Sequence, residues 1–424
     1  ILRSINEAKN FAFSEDGNRL AFVAESGKDK KALRKFYDLY LYHSGDYTAH
    51  KIVDRTSAGM PEKYSVSENG SVRFSENGER LFFGTAPIAA IKDTALKDID
   101  LVNLDIWNYK DDYLQTQQLR ELNDDLKKSF TAVYELSSNR MLQLGNKDLP
   151  VIIQTNDWNG EYFVAITDTG RRISSQWTGR TLKDVYFINV KTGNINLVKK
   201  NLDGNIYTSS TGKYILWYDN QKRSYFTNDG NQTRNISSGI KTPLYDELND
   251  VPDYPRAYGV LGWHQGDSSV YIYDRYDVWK IDPLGKTSPV NISKTGRSTR
   301  NVYRYTKTDK DEKFLRNGQM MIFSVFNDRN KSAQIAETRL GNTLEFDILS
   351  AGNYSFGHPV KAKNANDILY TKESFVQSPD LYLFDGKEER ITHTNPQQKE
   401  YNWGTAELFY WKTFDSKNAT GIIY

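Results

Sequence analysis

Cysteine is absent from the 424 residues, which excludes disulfides, thiolate nucleophiles and cysteine-ligated zinc or iron–sulfur centres. No compartment follows from this, because a large periplasmic protein with a sufficient core needs no covalent staple. Histidine is scarce. None of the five, His43, His50, His264, His358 and His393, stands in a metal-ligand spacing such as His-Glu-x-x-His. Each reads as a turn or hairpin residue, so neither a metal site nor a cofactor is expected. Charge of one sign is missing too: 56 basic side chains nearly cancel 54 acidic ones, leaving no field to hold nucleic acid or an anionic membrane. No run approaches the roughly 18 apolar residues of a spanning helix, and the longest, such as Met320 to Phe326, has the length of a strand, so no transmembrane segment is expected.

Aromatic residues are plentiful, with Tyr at 28 and Phe at 20, a composition suited to pleated, half-buried surfaces. The sequence also repeats. Phe13-Ser14-Glu15-Asp16-Gly17-Asn18-Arg19-Leu20-Ala21-Phe22 returns as Phe74-Ser75-Glu76-Asn77-Gly78-Glu79-Arg80-Leu81-Phe82-Phe83, and each copy reads as strand, tight turn, strand. Asp-Gly or Asn-Gly predicts a two-residue hairpin turn with positive φ. Looser copies follow at Asn159-Gly160, Thr211-Gly212, Gln265-Gly266 and Asn366-Asp367.

A second unit, typically an Asp followed by alternating aromatic and aliphatic residues, recurs at Asp38–Tyr42, Asp184–Ile188, Ser224–Phe226, Asp277–Ile281 and Asp380–Phe384. Degenerate copies lie at Ala132–Leu136 and Gln334–Glu337. Units of roughly 40 to 55 residues match the four-stranded blade of a propeller. The predicted fold is therefore all-β, a seven-bladed β-propeller, with eight as the alternative count. Its aromatics are expected to pack between blades. The period breaks once: between Pro87 and Leu126, the residues Leu114, Gln118, Leu119, Leu122 and Leu126 stand at helical spacing. A helical insertion, about 87–128, is expected in the second blade.

Several stretches resemble one family. Leu104-Asp105-Ile106-Trp107-Asn108-Tyr109-Lys110-Asp111-Asp112-Tyr113-Leu114-Gln115 is similar to a segment of bacterial prolyl oligopeptidase family serine peptidases. So are Ala257–Trp263 with Tyr273–Trp279, and Glu407–Asp415 with Gly421–Tyr424, the last resembling the passage from propeller into an α/β-hydrolase domain. The resemblance implies a propeller over 1–395 and a connector over 396–424. A partner hydrolase domain would carry a Ser, Asp, His triad, the Ser on a Gly-x-Ser-x-Gly elbow. This chain has no such elbow. The nearest approaches, Gly266-Asp267-Ser268-Ser269 and Gly352–His358, lack the spacing, so no catalytic residue is expected here and the chain alone should be inactive.

In dipeptidyl peptidases of that family, paired acidic residues on a propeller insertion hold the peptide's amino terminus. Asp111 and Asp112 are similar in layout, although Asp stands where Glu is expected and Lys110 adjoins them. Two carboxylates near an ammonium supply charge-assisted hydrogen bonds. The structural alternative is that both aspartates start the insertion helix, at its positive end. The resemblance thus implies a non-catalytic propeller acting as size filter and substrate wall for short peptides cleaved after Pro or Ala. Its partners would be the peptide and the hydrolase domain, and its location periplasmic or otherwise extracytoplasmic, with the cytoplasm as the alternative. The rival reading is a stand-alone propeller that binds proteins or peptides on one rim. A glycosidase or lyase would instead need paired carboxylates facing a central channel.

Overall fold

A computed structural model of the chain describes residues 5–27, 29, 31–91 and 104–424. Among the described residues, the strands are grouped into sheets in sequence order. The first nine form one sheet, five sheets of four strands come next, and a two-stranded ribbon closes the series. Neighbouring strands pair antiparallel. This is the all-β, propeller-type organisation that the repeats predict.

The segments quoted for the second unit all fall on one kind of strand. Tyr37–His43, Lys183–Asn189, Ser224–Asn228, Val278–Ile281, Ala333–Arg339 and Gln377–Phe384 each follow two strands of a repeat and precede a last one, and Phe130–Glu135 follows three and precedes one. The recurrent Asp at its start is a latch. Asp184 accepts the backbone N–H of Asn201 at 2.8 Å. Asp277 accepts those of Gly296 at 2.8 Å and Arg297 at 3.1 Å. Asp380 accepts that of Thr394 at 2.8 Å. In each case a buried carboxylate satisfies N–H groups of the chain at or beyond the last strand, which would otherwise lack a partner.

The hairpin repeat differs from expectation in its turn. Ser14 pairs with Arg19, its N–H reaching the Arg19 carbonyl at 3.0 Å, so four residues lie in the bend rather than two. Only the glycine takes positive φ, +70° at Gly17 and +71° at Gly78. A serine completes the turn: the Ser14 and Ser75 hydroxyls each accept an N–H, from Arg19 and Arg80, both at 3.0 Å. Ser209 does the same for Tyr214 at 2.9 Å, in the copy carried by Thr211-Gly212.

By its internal contacts the chain divides into two compact units, Ile1–Asp219 with Thr227–Thr233, and Asn220–Phe226 with Arg234–Tyr424. In the first, strand periodicity feeds two cores from the same strands. Leu81 and Phe83 pack with Val23, Leu39 and Tyr134, while Phe82 and Val133 face Phe163, Ala165 and Ile188. Successive side chains point to opposite faces of a strand, so a sheet between two others needs apolar residues throughout. The second unit repeats the logic. Met321 and Phe323 join the core of Tyr271, Tyr273 and Leu315, and Ile322 joins that of Leu349, Ile368 and Tyr370.

The insertion sits between strands Arg80–Pro87 and Phe130–Glu135 and holds helix α1, Gln115–Leu126. Its early part, residues 92–103, lies outside the described residues. No residue of α1 is buried. Gln115, Gln117, Gln118 and Glu121 are the partly covered positions, whereas Leu119, Leu122 and Leu126 are exposed. The helix presents its apolar stripe outward.

Candidate functional site

The two aspartates singled out in the sequence lie just before α1 and take different partners. Asp112 is fully engaged. Its Oδ2 accepts the N–H of Gly170 at 2.7 Å and its Oδ1 that of Arg172 at 3.1 Å, and the Arg172 guanidinium stands 3.2 Å from Oδ2. Arg172 opens helix α2, Arg172–Thr178, so Asp112 supplies the acceptor for a helix start that has no side-chain cap of its own. The structural alternative, that both aspartates start α1, does not hold: Leu114 occupies its N-cap, and its first turn has no acidic residue.

Arg172 ties this corner together. Its guanidinium also pairs with Asp168 at 2.7 Å and stacks on the Tyr113 ring, 4.5 Å from the centroid. Burial alone would loosen its proton, but the hydrogen bond to Asp168 and the nearby charges outweigh burial, and its pKa lies above the ordinary arginine value. The Tyr113 hydroxyl is pushed up, chiefly by burial. The insertion is thereby stapled to the loop between strands Tyr162–Thr167 and Lys183–Asn189.

Asp111 is differently placed. It is half-buried, and its Oδ2 accepts from Gln118 Nε2 at 3.3 Å, a residue that also donates to the Tyr113 carbonyl at 3.0 Å. Lys110 lies over the ring of Tyr109, 5.6 Å from its centroid, and the cation beside Asp112 is Arg172. Before the aspartates, Ile106, Trp107 and Tyr109 are exposed, the last at 91%. The arrangement offers an oriented carboxylate next to exposed aromatic surface, on a segment fixed at its base.

The sequence reading missed Asp168, Gly170 and Arg172. No local signal could have found them, since the contacts span 58 and 60 residues.

The serine motif set aside in the sequence remains a turn. Gln265–Asp267 forms a single turn of 3-10 helix. Ser268 Oγ lies 2.9 Å from His264 Nδ1, and His264 Nε2 lies 3.2 Å from Asn317 Oδ1. Ser268 is four residues from His264 in that same turn and also bonds the Gln265 carbonyl at 3.4 Å, so the contact closes the turn. It is not a strand-to-helix elbow. Among the described residues no group of His, Asp or Glu could hold a metal ion.

The closing ribbon is the other feature of note. Glu407–Lys412 pairs with Asn418–Ile423, Phe409 facing Gly421 and Trp411 facing Ala419. Phe409, Tyr410, Trp411, Ile422 and Ile423 are all exposed, so apolar surface lies on both faces of an isolated two-stranded element. Such a ribbon is marginally stable in water by itself.

No family model matches the chain, and no curated protein matches it. Solved structures do. One, from a study of two prolyl endopeptidases, aligns with 99% of this chain at 13% identity and a TM-score of 0.41, with 54% of its own length covered. An acylaminoacyl peptidase from Pyrococcus horikoshii aligns with 98% at 10% identity and a TM-score of 0.31, with 57% of its length covered. The β-propeller domain of the Trilobed protease from Pyrococcus furiosus aligns with 93% at 10% identity and a TM-score of 0.30, with 98% of its length covered. The chain thus spans little more than half of the two peptidase chains. Scores of this size assign neither fold nor function, and the fold above rests on the chain's own strands.

Proposed function

We propose that the chain is the propeller portion of a serine peptidase of the prolyl oligopeptidase type, and that it walls a chamber for short peptides. The nucleophile lies outside it. One observation carries the reading: the ribbon Glu407–Ile423, already similar in sequence to a passage into a hydrolase domain, exposes apolar residues on both faces and so calls for further structure to cover them. A propeller that ended on its last blade would have no use for it.

In this reading Asp111, oriented by Gln118, receives the free amino terminus of the peptide, and Asp112 holds the insertion in place. An ammonium paired with a carboxylate fixes the distance from amino terminus to the cleaved bond, because the rest of the peptide must then extend from a set point. Selection by size is steric. The test uses the natural-length enzyme, given oligopeptides and a folded protein that contains the same cleavable sequence. The reading predicts turnover of the oligopeptides alone. Equal cleavage of both substrates would contradict the wall.

A further inference from the structure

We propose that the first unit holds a second binding site, a cavity for a small zwitterion the size of a free amino acid or a dipeptide. The cavity, about 400 Å³, lies where strand Arg19–Glu25 gives way to the loop leading into strand Tyr37–His43. Glu25, Gly27, Arg34, Asp38, Lys51 and Arg55 are among the residues that line it. Ser26 fixes the neck of the loop, its N–H and hydroxyl both donating to the Phe36 carbonyl, at 2.9 and 3.1 Å. Gly27 leaves the approach to Glu25 open, since even a methyl group placed there would stand 3.9 Å from Oε1.

Two groups in the wall lack the partners that burial demands. Glu25 is 2% exposed, and neither of its carboxylate oxygens has a hydrogen-bond partner among the described residues. Lys35 Nζ stands 3.4 Å from Oε2 on a side chain 42% exposed, a flexible stem free to swing into solvent. A buried carboxylate is costly unless donors surround it, so Glu25 is set to receive an ammonium. Arg34 is its converse, with a buried Nε–H that has no acceptor among the described residues. Arg55 stands beside it in the wall, over the Phe36 ring and 4.4 Å from the centroid, whereas Lys51 is already paired with Asp54 at 2.8 Å. A simple cation would leave the guanidinium groups without an anion, and a simple anion would leave Glu25 without a donor. A zwitterion answers both, its ammonium on Glu25 and its carboxylate on Arg34.

Titration calorimetry of the 424-residue chain with L-alanine and with alanyl-alanine tests this, and whichever of the two binds more tightly gives the size of the ligand. N-acetyl-alanyl-alanine, which lacks the ammonium, and alanyl-alanine amide, which lacks the carboxylate, should each bind more than about tenfold more weakly, as should alanyl-alanine to Glu25→Gln or Arg34→Met. Thermal unfolding of the unaltered chain should shift upward with alanyl-alanine and not with its acetylated form, a readout that needs no variant to fold. Failure of both zwitterions to bind, equal binding of the acetylated form, or undiminished binding to Glu25→Gln would each overturn the proposal. So would methylammonium binding as tightly as the dipeptide, which would make the cavity a simple cation site. Binding lost in Asp111→Ala and kept in Glu25→Gln would belong to the amino-terminal site instead and would equally overturn it. No activity is read, so failure here leaves the peptidase reading standing.

Discussion

The carboxylate of Asp112 accepts the backbone N–H of Arg172 at 3.1 Å, across 60 residues of sequence. That bond turns the insertion from a dangling excursion into a fixed part of its unit. It also separates the paired aspartates into an anchor and a group still able to receive a ligand.

Replacing Asp112 by Ala should therefore loosen the insertion. Two N–H groups lose their acceptor and Arg172 keeps Asp168 as its carboxylate partner, a loss of about 1–3 kcal/mol in local stability. Limited proteolysis should show cleavage in the insertion before any other segment. Asp111→Ala should leave the proteolytic pattern unchanged. In the natural-length enzyme it should raise KM for peptides with a free amino terminus while leaving acetylated peptides unaffected. An equal effect on both peptides would remove Asp111 from the substrate site.

The latch aspartates should differ according to their bonds. Asp277 is 1% exposed and accepts from Ser293 Oγ at 2.7 Å as well as from the two N–H groups, so Asp277→Ala should cost about 3 kcal/mol or more. Asp38 occupies the equivalent position, but its partner Lys51 stands at 3.7 Å, and burial pushes its carboxyl up. Asp38→Ala should be nearly neutral, since a buried carboxylate with weak compensation gives little net stability. Urea titrations of the two variants would show the contrast. Equal losses would refute the latch.

Alkaline pH should unfold the second unit through its tyrosines. Burial is the main cause that pushes Tyr271, Tyr273 and Tyr276 up to about 12. The folded state therefore binds these phenolic protons more tightly than the unfolded chain does. Their contribution is complete below about pH 10, the unfolded tyrosine value, and is lost as pH rises from there toward 12. Tyrosinate absorbance and intrinsic fluorescence should then change together in this window. Full ionisation of every tyrosine in a protein that keeps its near-ultraviolet dichroism would contradict this.

How much of this was legible in the sequence follows from the range of each interaction. The hairpin repeat was legible because Ser14, Gly17 and Arg19 act within one turn, although the serine's part made the turn longer than Asp-Gly alone suggests. The Asp-led strands were legible as a pattern. Their latch role was not, because Asp277 reaches Gly296 only once the last strand has paired. Helix α1 was visible from its period, yet period says nothing of direction, and its leucines face outward while Gln118 bonds Asp111 and Asp112 ties the base of the insertion to Gly170 and Arg172. The tie between Asp112 and Arg172 left no mark in either local sequence.

The most direct test of the central claim is fluorophosphonate labelling of the natural-length protein beside this 424-residue chain, with the labelled peptide mapped by mass spectrometry. The account predicts an unlabelled chain and a single labelled serine beyond Tyr424 in the longer protein. A label on a serine within the chain, such as Ser268, or no label on either form, would contradict it.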